Sequence, residues 1–552
     1  MDEFKDEIIK FLKKEAKLEN IELETPPSPE MGDYAFPCFV LAKEWKKNPN
    51  DIAKELSQKF RPTKLVNEIK VIGPYLNFFV SKNKIAQDTI KIILKQKNKY
   101  GSANVGKNKK ILLEHTSINP NASPHVGRAR NAMIGDSIAR ILRFQGYKVE
   151  VHYLVNDVGK QIAMLVLGAE GRKNIKFDDL LNVYIEINKK MEENPELEKQ
   201  AFELLNKLEK NDKETRKKFE NVVKICIDGQ TKIFSELGIK YDVFDYESKY
   251  LWSKETEKTL KRMEKTGKLF IDGFNRWVLD QKGYGLGVKV PVLVLTRADG
   301  TALYPLRDIT YHIDKISKCD NIVVFGEDHK SYSEQIFAAL KELELKPPKA
   351  VYYSFVLLQD GKMSTRKGNL VLLSDFMKEA LSKANEELKK RYGKSDEQSA
   401  KAIAYGAVKY GILRVSPEKN VIFDWEHALS FEGETSPYIQ YAYARISSIL
   451  AKGKLNSKAD LSLLKENEET ELIKLLSHFP ETVLKAVNDL KPHLIANYIY
   501  SLAQKFNEYY HKHQVLKAEE KVKDARLLLI SAARQVLKNG LNLLGIDVLE
   551  RM

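Results

Sequence analysis

Apolar positions along this chain change their period from one stretch to the next. Near the start, Phe4, Ile8, Ile9, Phe11 and Leu12 recur at helical spacing. Residues 111–113 (Ile-Leu-Leu) form a short apolar run that reads as a buried strand. A loop rich in Ser, Asn and Pro follows. Met133, Ile134, Ile138, Ile141 and Leu142 then mark one face of a helix, with Gly146 just past its end. Strand, loop, helix is the unit that sets a ligand at a helix N-terminus, where unpaired backbone N–H groups favour anions. Tyr147–Val155 reads as a second strand, with Asn156, Asp157, Gly159 and Gln161 at its carboxyl end. Alternating strands and helices with polar residues at strand ends predict an α/β core, a doubly wound parallel sheet of the Rossmann type.

The flanks differ from this core. Residues 1 to about 80 read as an α+β module, with turns at Gly32-Asp33 and Gly73-Pro74. Between about 170 and 230 the chain is highly charged and helical. That predicts an insertion packed outside the sheet as a solvated helical pair. Beyond about 415 almost every stretch carries three- and four-residue apolar spacing, so an all-α bundle is expected. The changes divide the chain into 1–97, 98–375 with a helical insertion at about 165–240, a connecting helical segment 376–435, and 436–552.

Composition narrows the class. A chain of 552 residues with 43% hydrophobic and 30% charged residues holds several globular domains. No apolar run approaches the roughly 20 residues of a membrane helix, and 1–14 reads as an amphipathic helix with no targeting signal. The formal charge of +15 favours a polyanionic partner, with a lysine-rich solvated surface as the plain alternative. Cys38, Cys226 and Cys319 are scattered without metal spacing, so neither a disulfide framework nor a zinc site is indicated, and a cytoplasmic home is expected. Residues 101–107 fit most of a phosphate-binding P-loop. However, Asn108 stands where Ser or Thr should bind magnesium, and the segment precedes a strand instead of following one.

Two words carry candidate chemistry. His125-Val126-Gly127-Arg128 sits at the turn into the 133–142 helix. Gly361-Lys362-Met363-Ser364-Thr365-Arg366-Lys367-Gly368-Asn369 lies far downstream. Alone, the first reads as a turn with a capping His and the second as a basic surface turn. Together they resemble the paired signatures of class I aminoacyl-tRNA synthetases. The neighbouring words Ser117-Ile118-Asn119 and Arg130-Asn131 through Gly135-Asp136 are similar to the arginyl family of that class. So are GDYA and GPYLNFF near the start, and PYIQYAYAR and RQVLKNGLNLLGI near the end. The resemblance runs through essentially the whole chain, in order.

That resemblance implies a ligase that activates arginine with ATP, carrying Mg2+ on its phosphates, and transfers it to the 3′-terminal adenosine of its tRNA. In the activation step a carboxylate attacks a phosphate and charge builds on phosphate oxygens, so preorganised donors and cations matter most. His125 would donate to phosphate oxygens, and Gly127 would let the adenine approach backbone closely. Met363 and Ser364 would join the nucleotide site, and Lys362, Arg366 and Lys367 would reach the phosphates. Two positions depart from the family: Arg128 replaces its second signature His, and Thr365 a usual Lys. Some relatives compensate with a Lys three residues before the first signature His, but Ala122 stands there. Arg128, Arg366 and Lys367 are expected to supply the missing charge.

A guanidinium matches carboxylates bidentately, so an arginine site should be acidic. Asp308, in Leu303-Tyr304-Pro-Leu-Arg307-Asp308, and Glu247 lie in words similar to the family's arginine-binding segments. Mapping the words adds Tyr304, Asn119, Gln161 and, less clearly because the family often has Gln there, His329. Read without the resemblance, Asp308 is a helix N-cap and Glu247 a surface carboxylate. The N-terminal domain is implied to meet the tRNA elbow and the C-terminal bundle the anticodon. Tyr438, Gln440, Tyr441 and Arg445 are the expected RNA contacts, although tyrosines at helical spacing are commonly core. A monomer is expected. A ligase for another amino acid and a catalytically silent tRNA-binding relative are the alternatives.

Overall fold

The computed structural model describes residues 3–24, 26, 31–121, 123–172, 174–358, 361–362 and 371–552. Contacts group the chain into two compact units, each assembled from separate stretches: 1–100 with 446–479 and 502–536, and 101–445 with 480–501 and 537–552. The expected divisions at 375 and 435 both lie within the second unit. Among the described residues no helix is long and apolar enough to cross a membrane.

The first unit begins with the expected α+β module. The amphipathic repeat at the start forms the helix Glu3–Ala16, which buries Phe4, Ile8 and Leu12. An antiparallel sheet follows, with Tyr75–Val80 between Tyr34–Pro37 and Val66–Ile72. Phe36, Ile52, Leu56, Leu76 and Phe78 join the helix in one core. The helix Lys82–Gln96 then packs against Asn467–Ser477 from far along the chain. Tyr100 is tied to the same late segment, its hydroxyl donating to Leu476 O at 2.8 Å and its ring stacking on Phe479.

The second unit is built on five parallel strands: β1 (Lys110–Glu114), β2 (Lys148–Val155), β3 (Val243–Tyr246), β4 (Asp320–Gly326) and β5 (Lys349–Tyr353). Their spatial order is β5-β4-β1-β2-β3, which makes a doubly wound sheet, the class predicted from the alternation of elements. Among the helices of this unit that carry or adjoin candidate residues are α1 (Val126–Phe144), α2 (Tyr304–Ile316) and α3 (Lys330–Glu342). The face read from Met133 to Leu142 is buried, and Gly135 lets α1 approach the loop after β1 so closely that a Cβ there would overlap the His115 ring. The P-loop-like stretch is a run of turns, and a Cβ on Gly106 would meet the Tyr147 backbone.

The charged stretch after β2 corrects one expectation. Four helices, Lys160–Ala169, Leu180–Glu193, Glu196–Glu209 and Lys213–Glu236, connect β2 to β3. They are not a solvated pair. Leu180, Val183, Ile187, Leu208, Phe219 and Cys226 gather with Tyr153 and Val155 of β2 in one buried cluster. Their apolar residues are sparse among charges, yet most turn inward, with Ile185 and Phe202 left exposed.

Candidate active site

In a sheet of this topology ligands bind at the carboxyl ends of the strands, where the order reverses. Here that point lies between β1 and β4. The loop after β1 leads into α1 at His125, and the turn after β4 is Glu327-Asp328-His329.

His125 occupies the N-cap of α1 but makes no side-chain cap hydrogen bond, and its buried Nδ1 has no partner among the described residues. Burial first, and then the charge of Arg128, push the imidazole down to about 4, so the ring is neutral at neutral pH. The backbone around it is fixed by the chain that re-emerges after the second signature word. Leu372 bridges His125, Val126 N donates to Val371 O at 3.2 Å, and Leu373 N donates to Pro124 O at 2.7 Å. On the other side of that word, Gly361–Lys362 pairs with Val356–Leu358. Both ends of the 363–370 stretch are thus held within this unit. Met363, Ser364, Thr365, Arg366 and Lys367, like Ala122, lie outside the described residues.

Arg128 and Asn131 stand near the Tyr353 phenol at the end of β5, and both pull its burial-raised pKa back down. Asn131 also accepts from Thr116 N at 2.7 Å and donates to Val324 O at 2.9 Å, joining the β1 loop to β4. Arg130 is fully buried and donates to Ser354 O at 2.7 Å and Ser416 O at 2.9 Å. The Arg130-Asn131 word, read only as a marker of resemblance, is therefore the bolt that sets α1 on the sheet.

The acidic candidates converge beyond β3. Glu247 is buried, not a surface carboxylate, and accepts from Arg307 Nε at 2.6 Å. Asp308 is in the second turn of α2, whose N-cap is Leu303, so it caps nothing. The Tyr332 hydroxyl of α3 donates to Asp308, and the exposed Tyr304 ring lies 5.3 Å from that of Tyr332. Burial, and then the nearby Glu247 charge, push Asp308 up to about 7. Asp157, after β2, accepts from Ser248 N at 2.9 Å. It is pushed up to about 6, chiefly by burial, with Glu247 adding to the rise. Glu247 and Asp308 thus stand beside one guanidinium, that of Arg307, and Asp157 lies close enough to Glu247 to feel its charge. Sequence reasoning named Arg307 and Asp157 in passing but gave neither a role in the site. Their only signal was adjacency to residues already singled out.

The amide candidates form a second group. Asn119 Nδ2 and Asn121 Nδ2 donate to Gln161 Oε1 at 3.1 and 3.0 Å, which joins the loop after β1 to the helix after β2. His329 is exposed at the N-cap of α3, with Asp328 3.7 Å away. It stands at the strand-order reversal, not among the acids around Glu247.

The expected RNA contacts separate. Tyr438 and Tyr441 are half-buried, and the Arg445 guanidinium stacks 4.6 Å over Tyr441. Gln440 is fully buried; its amide donates to Ala402 O and Asp547 O and accepts from Ser436. Its polar atoms serve the packing of the bundle, and an RNA contact there would break that packing.

Comparison with known proteins agrees with this arrangement. Family models match residues 89–425 as the class I (R) tRNA synthetase catalytic domain, 439–552 as a DALR anticodon binding domain, and 1–80 as an arginyl tRNA synthetase N terminal domain. The arginine–tRNA ligase of Methanocaldococcus jannaschii is 42% identical over 551 residues, covering 97% of this chain and 96% of that protein. That of Archaeoglobus fulgidus is 38% identical, covering 93% and 94%. The solved arginyl-tRNA synthetase of Thermus thermophilus superimposes with a TM-score of 0.85 at 27% identity, covering 99% of each chain. With identity of this extent and a shared fold throughout, the chain belongs to the arginyl-tRNA synthetase family of class I.

Proposed function

We propose that the chain activates arginine with ATP and passes the arginyl group to the 3′-terminal adenosine of its tRNA. The observation that carries this reading is the convergence of Glu247 and Asp308 beside the exposed Tyr304, on the same sheet edge as His125, whose Nδ1 has no partner among the described residues.

In the first step an oxygen of the arginine carboxylate attacks the α-phosphorus of ATP. The bond to the bridging oxygen breaks, and pyrophosphate leaves with the electron pair. Both partners are anions, so donors aimed at the phosphate oxygens lower the barrier. A neutral His125 at a helix N-terminus supplies an N–H without charge, and the backbone N–H groups of α1 add to it. Arg128, Lys362, Arg366 and Lys367 are assigned to the phosphates, with Met363, Ser364 and Gly127 in the nucleotide site. Mg2+ arrives on the ATP phosphates. Asp308 and Glu247 take the substrate guanidinium, Tyr304 covers it, and Asn119 with Gln161 receives the amino acid's polar end. In the second step the terminal ribose hydroxyl oxygen attacks the activated carbonyl and AMP leaves.

Tyr438, Tyr441 and Arg445 are assigned to the anticodon, the N-terminal module to the tRNA elbow, and the whole acts as a cytoplasmic monomer. The test is arginine-dependent exchange of labelled pyrophosphate into ATP, with and without cognate tRNA. Exchange supports the assignment, and its restriction to tRNA-bound protein would mean that the RNA completes the site. Tight tRNA binding with no exchange under either condition overturns it.

A further inference from the structure

The helix that carries Tyr304 and Asp308 is fastened by contacts that the proposed reaction does not use. Arg307, Tyr311 and Lys315 recur every four residues on α2 and so share one face. Each meets a carboxylate of the parallel sheet. Arg307 holds Glu247 just past β3. The Tyr311 hydroxyl donates to Asp245 Oδ2 on β3 at 2.9 Å. Lys315 pairs with Glu114 at the end of β1, both side chains almost wholly buried, and its ammonium lies 4.0 Å over the Tyr311 ring. Asp245 is backed in turn by His152 Nδ1 at 2.6 Å, and His152 Nε2 meets Glu150 at 2.7 Å.

The opposite face of α2 is apolar. Leu306, Ile309, Ile313 and Ile316 pack into a cluster with Leu279, Leu293, Leu295, Ile336 and Leu340. Apolar contact is non-directional and tolerates a shift along the helix axis. Buried ion pairs contribute little net stability, but they pair one partner with one partner, and register is their best-attested use.

We propose that Tyr311 and Lys315 are positioning residues for arginine: they hold α2 at one axial register against β1 and β3, and so fix where Asp308 and Tyr304 stand opposite Glu247. The inference rests on the assignment of arginine to Asp308 and Glu247. One residue of slip along a helix moves a side chain by about 1.5 Å, and a misplacement of about 1 Å costs on the order of 100-fold in a positioned site.

The diagnostic variant is Glu114→Gln with Lys315→Met in the full-length chain. It removes both charges at similar volume and strands neither, whereas Lys315→Met alone would leave a buried carboxylate uncompensated. Pyrophosphate exchange is measured with arginine and ATP varied separately, beside thermal unfolding. In the folded double variant the arginine KM rises about 10–100-fold while the ATP KM stays within about twofold. Tyr311→Phe, which deletes one hydroxyl, raises the arginine KM by a smaller factor and decides the matter if the double variant does not fold. An unchanged arginine KM, or equal rises in both KM values, overturns the proposal. Asp308→Asn runs in the same assay. If it too leaves the arginine KM unchanged, the arginine site itself is misassigned; if it raises the KM and the ladder variants do not, only the positioning role falls.

Discussion

Arg307 donates from Nε to Glu247 Oε1 at 2.6 Å, and both side chains are buried. A carboxylate assigned to the substrate guanidinium therefore already carries a guanidinium of the chain's own. Glu247 alone cannot account for an arginine site. Of the carboxylates assigned to the substrate, that leaves Asp308, whose ionisation burial has made costly.

Arginine binding should therefore strengthen as pH rises. Asp308, pushed up to about 7, attracts a guanidinium only once ionised. The arginine KM should fall several-fold from pH 6 to 8 and then level, and Asp308→Asn should flatten the profile. The stability of the free protein runs the other way. Between about pH 4 and 7 the native state keeps protons on Asp308 and Asp157 that the unfolded chain has released, so their contribution is present at low pH and lost as pH rises. Thermal unfolding from pH 5 to 8, with and without arginine, checks both signs.

Asp308→Asn should raise the arginine KM by about 10–100-fold, the scale of one hydrogen bond to a charged group. The ATP KM should hold, because the adenine and phosphates are assigned to the other end of the sheet edge. Steady-state exchange kinetics report both constants.

Removal of His125 should act on kcat. His125→Ala deletes a donor that makes no cap hydrogen bond and whose Nδ1 is unpartnered, so folding is little affected. Activation should slow by about 10²–10³-fold. Because the ring is neutral above about pH 4, the wild-type kcat should show no His125 titration between pH 6 and 8.

The replacement charges near the phosphates are tested by Arg366→Ala and Lys367→Ala. Each should slow activation with little change in the arginine KM. Unaltered rates in both would remove them from the chemistry.

Gly135→Ala tests how α1 is seated. The added methyl would overlap the His115 ring, and overpacking of this kind costs about 1–3 kcal/mol. The melting temperature should drop, while the protein that remains folded keeps its arginine KM.

How far the sequence could be read depended on distance along the chain. The helix over Met133–Leu142 was legible because one apolar stripe repeats within a few turns, and the parallel, doubly wound class of the sheet followed from the alternation of elements. The Glu247–Arg307 pair was not, because sixty positions separate its members and nothing local links them. The helices between β2 and β3 were misjudged for a different reason. Leu180, Val183 and Ile187 are few among many charges, so composition suggested a solvated face where geometry makes a core. Gln440 shows the limit of residue type: a buried amide with every bond made inside the bundle and one that reads a base look the same in a sequence.

The pairing of the helix Lys82–Gln96 with Asn467–Ser477 has a consequence for how the chain is made. The α+β module before it has its own core and can close early. The helix and Tyr100 cannot, because the segments that cover them, from residue 446 onward, are made long after them. At about 5–20 residues per second, the apolar face of Ile85, Ile90 and Ile93 waits for tens of seconds before its cover is synthesised. A nascent chain halted before residue 446 should expose that face to chaperones, and release from them should coincide with synthesis of the helix Asn467–Ser477.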